Sequence, residues 1–491
     1  MPDDFMKQRL YLPMPIMNPR RKAETKTPTS KLHDSYTKVE FEDSTHSLHQ
    51  FKSKTFRYQG TIMKAQKILL SLSFSILAAC GESPEMLLES TDAATAAVLA
   101  KRSITTDPLA VCNDGSPAVY YVRPGANANR NNWIIHLKGG NSCNSWQRCN
   151  VRQPSRMSSN SYNNTMIGEG IMLDNAAMNP NWHDWNHVFF RYCSSDNWAG
   201  DAEQFCDASN DPTCPTDPSL RWKDGDSIQF RGRRILQAAI QELQRTSLPY
   251  VGTQERRMPD LDDANYVLFS GSSSGSIGMR TNLDWVANHL RSQNPNLTIR
   301  GVSDSAFTFS RSATITPTGC DFATPTSFPV YDFFGAPFVD ETCAAGAAAA
   351  GDPIQVCSNL QYMLGCNSTK TNYYETPFFV QMDISDANAM GSMGYQRQDP
   401  AQLAEFRQKQ LDFLFDTIDK TSRDWAPLGV DGIGLFSINI GSHTALMADD
   451  KFFGGPSRWR INGQTYSETL YNWLTDGNLK HCVSLGTTGC F

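Results

Sequence analysis

Short apolar runs alternate along the chain with segments in which apolar residues recur every three or four positions. The short runs predict buried strands, and the longer periodic segments predict amphipathic helices. This alternation is typical of the α/β class, with a mostly parallel sheet and helices on both of its faces. The predicted strands are Trp133–Leu137, His187–Arg191, Tyr266–Ser270, Thr298–Val302, Pro377–Met382 and Gly434–Asn439, and the predicted helices are Asp226–Arg245, Gly278–Ser292, Ala401–Lys420 and Ser467–Thr475.

One boundary between a strand and a helix has an unusual composition. After the apolar run ending at Ser270, the chain reads GSSSG over Gly271–Gly275, and helical spacing follows from Met279. The five residues fit the pattern G-x-S-x-G, in which a sharp turn holds the central serine at the end of a sheet with a helix N-terminus behind it. Ser273 is therefore the candidate nucleophile.

A serine nucleophile needs a histidine base and a carboxylate that orients the base. In folds with this turn, the acid and then the histidine follow the serine along the chain. The predicted strand in TPFFVQM is followed by two acids, of which we take Asp386 as the candidate and keep Asp383 as the alternative. The next strand ends in Gly-Ser-His, which makes His443 the candidate base, with His481 as the alternative near the C-terminus.

The oxyanion formed during acyl transfer needs backbone N–H donors. The strand NWIIHL is followed by Lys138 and then Gly139-Gly140-Asn141, and glycines allow the backbone to approach a ligand closely. We predict that the N–H groups of Gly140, Asn141 and Ser274 form the oxyanion hole.

Each of these features also has an ordinary structural explanation when it is taken alone. Gly/Ser clusters such as Gly271–Gly275 are common in loops, Asp386 suits a helix N-cap or a turn, and His443 suits a surface position. The order of the three residues, each at the carboxyl end of a predicted strand, favours the catalytic interpretation.

The N-terminal part differs from the rest of the chain. Residues 1–62 are polar and without sustained periodicity, and we interpret them as an extension that precedes the natural start and is not necessarily translated. Residues 63–80 carry two lysines, an apolar segment and the box Leu-Ala-Ala-Cys, which predicts a lipoprotein signal peptide with Cys80 as the lipidated residue. The alternative is a buried helix of an N-terminal domain. We assign 81–106 to a linker and 107–491 to the catalytic domain.

Composition narrows the functional classes. The 491 residues are 40% hydrophobic and carry a formal net charge of −6, which argues against nucleic acid as a partner. Without Cys80, the 13 cysteines leave an even set from Cys112 onward, which suggests disulfides in an exported protein. Cys143/Cys149, Cys206/Cys214 and Cys482/Cys490 are close enough for local loops. A zinc site is the rival interpretation, but the chain has no C-x-x-C pair.

These motifs together resemble the pectin acetylesterase/Notum family of carboxylesterases, in the family's order from about residue 110 to the C-terminus. The resemblance implies a modified α/β-hydrolase fold with disulfide-bound loops, a Ser-Asp-His triad at Ser273, Asp386 and His443, and no cofactor. The matching segments are IIHLKGGNSC, FFRYCSSDNWAGD, QFRGRRILQAAIQEL, LFSGSSSGSIG and GSHTAL.

Three departures from the family's pattern concern the predicted oxyanion hole and acyl pocket. Lys138 stands where the family usually has an acid, and Ser142 where it usually has an aromatic residue. Ser274-Gly275-Ser276 replaces the usual Ala-Gly-Gly. These differences leave the acyl substrate open.

We therefore expect an exported serine esterase, anchored at the outer membrane or cell surface through Cys80 or released outside the cell. The resemblance implies that it removes a short acyl group, such as acetyl, from a carbohydrate or a small ester. Two alternatives are a non-catalytic surface lipoprotein that binds glycan on the same scaffold and a polyester depolymerase.

Overall fold

The computed structural model describes most of the chain from Val98 onward. The chain divides into two units, Met1–Met86 and Leu87–Phe491. The predicted extension 1–62, the predicted signal peptide and Cys80 lie outside the described residues. The described ranges are 98–245, 258–309, 313–316, 319–322, 333–335, 338–367, 369–430, 432–476, 480–484 and 489–490.

All six predicted strands are present, with ends that differ from the prediction by no more than two residues. They are short and apolar, as expected for strands that are covered on both faces. The strands are β1 (Val98–Ser103), β2 (Val119–Arg123), β3 (Asn132–Leu137), β4 (Thr165–Ile167), β5 (Asn186–Phe190), β6 (Ala202–Phe205), β7 (Ser227–Phe230), β8 (Tyr266–Ser272), β9 (Thr298–Asp304), β10 (Ala313–Thr316), β11 (Gly319–Phe322), β12 (Phe378–Gln381), β13 (Gly434–Ser437), β14 (His481–Val483) and β15 (Gly489–Cys490).

Within the described residues, eleven of these strands form one sheet in the order β15-β14-β13-β12-β9-β8-β3-β5-β2-β1-β4. The run from β14 to β5 is parallel throughout, and the pairs at both ends of the sheet are antiparallel. This confirms the mostly parallel α/β sheet. Because β3, β8, β9, β12 and β13 are parallel, their carboxyl ends lie along one edge, where every predicted triad and oxyanion residue follows a strand.

Helices cover both faces of the sheet, as predicted. Alternate residues of the strands face two different cores: Ile135 and Phe269 pack with Leu283, whereas Phe379 packs with Leu470. Within the described ranges, no helix combines the length and apolar composition needed to cross a bilayer. The helices are α1 (Trp146–Asn150), α2 (Gly232–Leu243), α3 (Ser274–Gln293), α4 (Glu341–Ala350), α5 (Leu360–Met363), α6 (Ala387–Ser392), α7 (Pro400–Trp425), α8 (Asp449–Phe452) and α9 (Tyr466–Leu474).

Two predictions of local structure were wrong. The helix expected over Asp226–Arg245 begins only at Gly232, because the preceding residues form β7, which pairs with β6. Alternation of buried and half-buried residues in β7 is a strand pattern that the helical spacing of α2 obscured. Strand β1 lies in the expected linker 81–106, so the folded domain includes residues before Asp107; β1 pairs with β2 and β4.

Disulfides join several of the described segments that lie between the strands. Cys143–Cys149, Cys206–Cys214 and Cys482–Cys490 are bonded, which confirms the three predicted local loops. Cys112–Cys193 and Cys343–Cys357 are bonded as well. The first two local disulfides pack with aromatic side chains in a separate small core. The Cys143–Cys149 bond closes the loop that follows β3 at the carboxyl edge of the sheet.

Candidate active site

The turn between β8 and α3 has the strained geometry that the pattern G-x-S-x-G predicts. Ser273 has φ 57° and ψ −121°, and a positive φ is uncommon for a residue other than glycine. The strand before it and the helix after it leave no room for larger residues. A Cβ atom at Gly271 would lie 2.0 Å from the carbonyl oxygen of Gly275, and one at Gly275 would lie 1.9 Å from that of Leu137. Ser273 itself is half-buried at the edge of the sheet.

The predicted base and acid are hydrogen-bonded to each other. Nδ1 of His443 lies 2.7 Å from Oδ2 of Asp386, which is fully buried. A carboxylate only accepts hydrogen bonds, so Nδ1 carries the proton and Nε2 of His443 is left as the basic nitrogen. This is the tautomer that a general base for a serine requires.

Asp386 is also the N-cap of α6. Its Oδ1 accepts the N–H groups of Asn388 and Ala389, while Oδ2 faces His443. The structural and catalytic interpretations of Asp386 therefore apply to different oxygens of the same carboxylate. The hydrogen bonds of the helix cap therefore fix the orientation of the carboxylate independently of its contact with the histidine.

Asp383, the alternative acid, has different hydrogen-bond partners. Its Oδ2 accepts the N–H groups of Ile440 and Ser442, and its Oδ1 accepts that of Ser385. These bonds support the loop that leads from β13 to His443, whereas Asp386 meets the imidazole ring itself. Burial raises the pKa of Asp383, and the hydrogen bonds from these N–H groups oppose that effect.

The alternative base, His481, lies elsewhere. It is in β14, and its Nε2 is 2.7 Å from the backbone oxygen of Ile433. His481 is the first residue of β14, at the amino end of that strand, whereas His443 follows the carboxyl end of β13 as Ser273 follows that of β8.

Two opposing effects set the basicity of His443. Burial lowers the pKa of the imidazole, whereas the hydrogen bond and the charge of Asp386 raise it. The charge of Asp304 acts in the same direction, and Lys451 acts against it. The net result is that the pKa of His443 lies above the usual histidine value.

The predicted oxyanion loop lies directly against the serine turn. A Cβ atom at Gly139 would be 2.2 Å from the carbonyl oxygen of Ser272 and 2.7 Å from Cβ of Ser273, so only glycine fits. Asn141 has φ 65°, and Ser274 is the first residue of α3, where backbone N–H groups have no partner within the helix. The three predicted donors therefore belong to two segments that meet at Ser273.

Two arginines that the sequence did not single out hold this loop. Nη2 of Arg152 donates to the carbonyl oxygen of Asn141 over 2.7 Å, and Nη1 of Arg156 donates to that of Gly140 over 3.2 Å. The peptide between Gly140 and Asn141 contains both the carbonyl held by Arg156 and the Asn141 N–H. Fixing that carbonyl therefore fixes the direction of the N–H group.

A buried polar network under the serine turn was also missed. His136 of β3 has Nδ1 3.0 Å from Oγ of Ser270 and Nε2 3.4 Å from Oγ of Ser272. Ser272 donates to Oδ2 of Asp304 over 2.6 Å. Burial, assisted by the charge of Lys138, lowers the pKa of His136 to about 3, so its ring is neutral. The signal in the sequence that could have indicated this network is the alternation of polar and apolar residues at the ends of β3, β8 and β9.

The chain has relatives among known proteins. A family model described as Pectinacetylesterase matches residues 93–487. The chain is 33% identical over 200 residues to palmitoleoyl-protein carboxylesterase notum1' of Xenopus laevis and 31% identical over 200 residues to the Homo sapiens enzyme. Each alignment covers 40% of this chain and 34% of the relative, so the match spans about a third of the relatives' length. The crystal structure of the Wnt deacylase Notum from Drosophila has the same fold, with a TM-score of 0.57 and 23% identity, covering 77% of this chain and 93% of that one.

Proposed function

Because the chain belongs to the pectinacetylesterase family, we propose that it is a serine carboxylesterase with Ser273 as nucleophile, His443 as base and Asp386 as the orienting acid. The observation that carries this proposal is the joint geometry at one edge of the sheet. A strained serine turn shares that edge with a histidine, three strands along, whose Nδ1 is held 2.7 Å from a buried carboxylate. A strained serine turn and a histidine oriented by a carboxylate are both features of nucleophilic catalysis by a serine.

The proposed reaction has two half-reactions. Nε2 of His443 takes the proton of Ser273 as Oγ attacks the ester carbonyl, and Asp386 stabilises the imidazolium that forms. The N–H groups of Gly140, Asn141 and Ser274 bind the tetrahedral oxyanion. His443 then protonates the leaving alkoxide. Water, deprotonated by the same histidine, releases the acid and restores the serine. This scheme uses no cofactor.

For the substrate, we propose a short acyl ester of a carbohydrate, with acetyl as the acyl group. The name of the matching family model supports acetyl. The names of the curated relatives point instead to a palmitoleoyl chain on a protein, so acyl length is the property to measure. The replacements at Lys138, Ser142 and Ser274 lie beside the proposed oxyanion hole, where they would affect this choice.

We also propose that the protein is exported, with Cys80 lipidated. The disulfides of the described domain support export, because such bonds persist in oxidising compartments. Mass spectrometry of the mature N-terminus tests the anchor. A diacylated Cys80 at the N-terminus supports it, and an unmodified residue 80 within a longer chain would rule it out.

The test of the enzymatic proposal is hydrolysis of chromogenic acetyl, butyryl and octanoyl esters by the oxidised full-length protein. Ser273→Ala should lower kcat/KM by at least about 10⁴-fold. Ser292→Ala is the matched control, because Ser292 is exposed at the other end of α3, about 27 Å away. Equal activity of wild type and Ser273→Ala would refute the triad, and folded but inert wild type would turn attention to glycan binding. A preference for octanoyl would favour a lipid or polyester substrate.

A further inference from the structure

Asp304 ends a strand that lies between the strand leading to Ser273 and the two strands leading to Asp386 and His443. It is the last residue of β9, which pairs with the nucleophile strand β8 on one side and with β12 on the other. Its backbone oxygen accepts the N–H of Ser273 over 2.9 Å. The residue is fully buried. The strained backbone of the serine turn is therefore hydrogen-bonded to Asp304 directly.

The side chain of Asp304 is bonded to both segments of the site. Oδ2 accepts the hydroxyl of Ser272, the residue before the nucleophile, over 2.6 Å. Oδ1 accepts the N–H of Ala445 over 2.9 Å, and Oδ2 accepts that of Leu446 over 3.2 Å. Ala445 and Leu446 follow His443 in the same loop. A single carboxylate thus connects the chain just before the nucleophile with the chain just after the base.

The loop that carries His443 needs such an anchor. Thr444 has φ 56°, which is strained for a β-branched residue and persists only where the surroundings impose it. Its N–H donates to Oγ of Ser305 over 2.8 Å, and the next two N–H groups donate to Asp304. The backbone N–H groups of three successive residues therefore donate to Asp304 and Ser305, at the carboxyl end of β9.

Asp304 also contributes charge. Burial raises its own pKa, while the hydroxyl of Ser272 and the N–H groups of Ala445 and Leu446 favour the ionised form. Among the described residues, the charges that act on His443 are those of Asp386 and Asp304, which are both acidic, and that of Lys451, which donates to Ser442 and Thr444. An imidazolium formed during the reaction would be stabilised by two buried carboxylates.

We propose that Asp304 is a second acidic residue of the site, a positioning residue that ties the His443 loop to the Ser273 turn and places a buried negative charge near the imidazole. The inference rests on the proposed esterase function, because it assigns Asp304 to the same reaction. Asp386 orients the ring through Nδ1. Asp304 fixes the distance between the two reacting segments and adds to the field that favours the protonated histidine.

The test compares Asp304→Asn with Ser305→Ala in the full-length oxidised protein. Asparagine keeps an acceptor for one N–H group and removes the charge, whereas Ser305→Ala removes a neutral anchor of the same loop. We expect Asp304→Asn to lower kcat/KM by about 10- to 100-fold, mainly in kcat, and Ser305→Ala by less than about 10-fold. The acid limb of the kcat/KM profile should move to lower pH only in Asp304→Asn.

A loosened loop alone would reduce activity in both variants and leave the pH limb in place. An unchanged limb in Asp304→Asn, with the protein folded, would therefore overturn the role of the charge. Unchanged kcat/KM would overturn the positioning role. If Asp304→Asn does not fold, carboxyl ¹³C resonances of labelled aspartate in the wild type decide the charge. Asp304 must then be ionised at the pH where the esterase works.

A readout without turnover separates this proposal from the esterase proposal. The titration of His443 can be followed by NMR in the Ser273→Ala background, with and without Asp304→Asn. A lower His443 pKa in the double variant supports the role of Asp304 even if none of the chromogenic esters is cleaved. The same pKa in both would overturn it even if wild type proves to be an esterase.

Discussion

Nδ1 of His443 and Oδ2 of Asp386 lie 2.7 Å apart, although the residues are 57 positions apart in the chain. The contact depends on two neighbouring parallel strands, β12 and β13, whose carboxyl ends carry the acid and the histidine loop. The same carboxylate caps α6, so its position is set independently of the histidine. A side chain held in advance in this way loses little freedom when it orients a base.

The raised pKa of His443 gives a first prediction. The proposed base must be neutral, so kcat/KM should fall as the pH is lowered through the pKa of His443. Because Asp386 and Asp304 favour the protonated ring, the midpoint should lie above the usual histidine value of about 6.5. A profile of kcat/KM from acid to mildly alkaline pH measures it. A midpoint below the usual value would contradict the dominant effect of the two carboxylates.

A second prediction distinguishes the two candidate acids. Asp386→Asn should reduce kcat by about 10⁴-fold, because an amide at this position holds the imidazole in the wrong tautomer. Asp383→Asn removes part of the support for Ile440 and Ser442 and should cost about 1–2 kcal/mol of unfolding free energy, with a much smaller loss of kcat. Initial rates and urea unfolding of both variants provide the comparison. The opposite ranking of kcat would make Asp383 the triad acid.

The strands that carry the site were predictable because each is a short apolar run that ends in glycines or polar residues. Tyr266–Ser272 and Thr298–Asp304 extend two residues beyond the predicted ends, since the polar residues Ser272 and Asp304 are buried by tertiary contacts. Strands β6 and β7 were not predicted. They form a separate hairpin. The sequence pattern of β6 resembles that of a loop, and the pattern of β7 resembles that of a helix.

The serine, the acid and the histidine were proposed from their order along the chain, and the order places them on one edge of the sheet. The roles of Asp304, Arg152 and Arg156 could not be proposed in the same way. Asp304 belongs to no motif, and the two arginines reach Asn141 and Gly140 from a loop stapled by a disulfide. Contacts of this kind depend on how loops fold over the sheet, which the hydrophobic pattern does not encode.

The last glycine of the serine turn, Gly275, gives a third prediction. In Gly275→Ala, the new Cβ would lie 1.9 Å from the backbone oxygen of Leu137, so β3 and α3 must separate. We expect a loss of at least about 2 kcal/mol of unfolding free energy and of most esterase activity. Gly489→Ala is the control, because its Cβ meets nothing within 4 Å, and it should change stability by less than about 0.5 kcal/mol. Urea unfolding measures both, and equal midpoints would contradict the tight packing of the turn.

The disulfides give a fourth prediction, which depends on the length of chain that each one closes. Cys112–Cys193 spans 81 residues and joins the segment before β2 to the segment after β5, whereas Cys482–Cys490 spans 8 residues at the edge of the sheet. Closing a longer loop removes more conformational entropy from the unfolded chain. The chain-entropy relation gives about 4.5 kcal/mol for the first bond and about 2.5 kcal/mol for the second.

Replacing both cysteines of each pair by alanine should therefore destabilise the protein more for the long loop than for the short one. Cys193 also follows the buried Tyr192, whose hydroxyl accepts the N–H of Asn197. The long-loop variant should therefore loosen the segment around Tyr192 beside the oxyanion loop. We expect lower kcat/KM for Cys112→Ala/Cys193→Ala and nearly unchanged kcat/KM for Cys482→Ala/Cys490→Ala. Urea midpoints and ester hydrolysis are measured on the same samples. Equal destabilisation of the two variants would show that the native contacts of each bond, and not the loop it closes, determine its contribution.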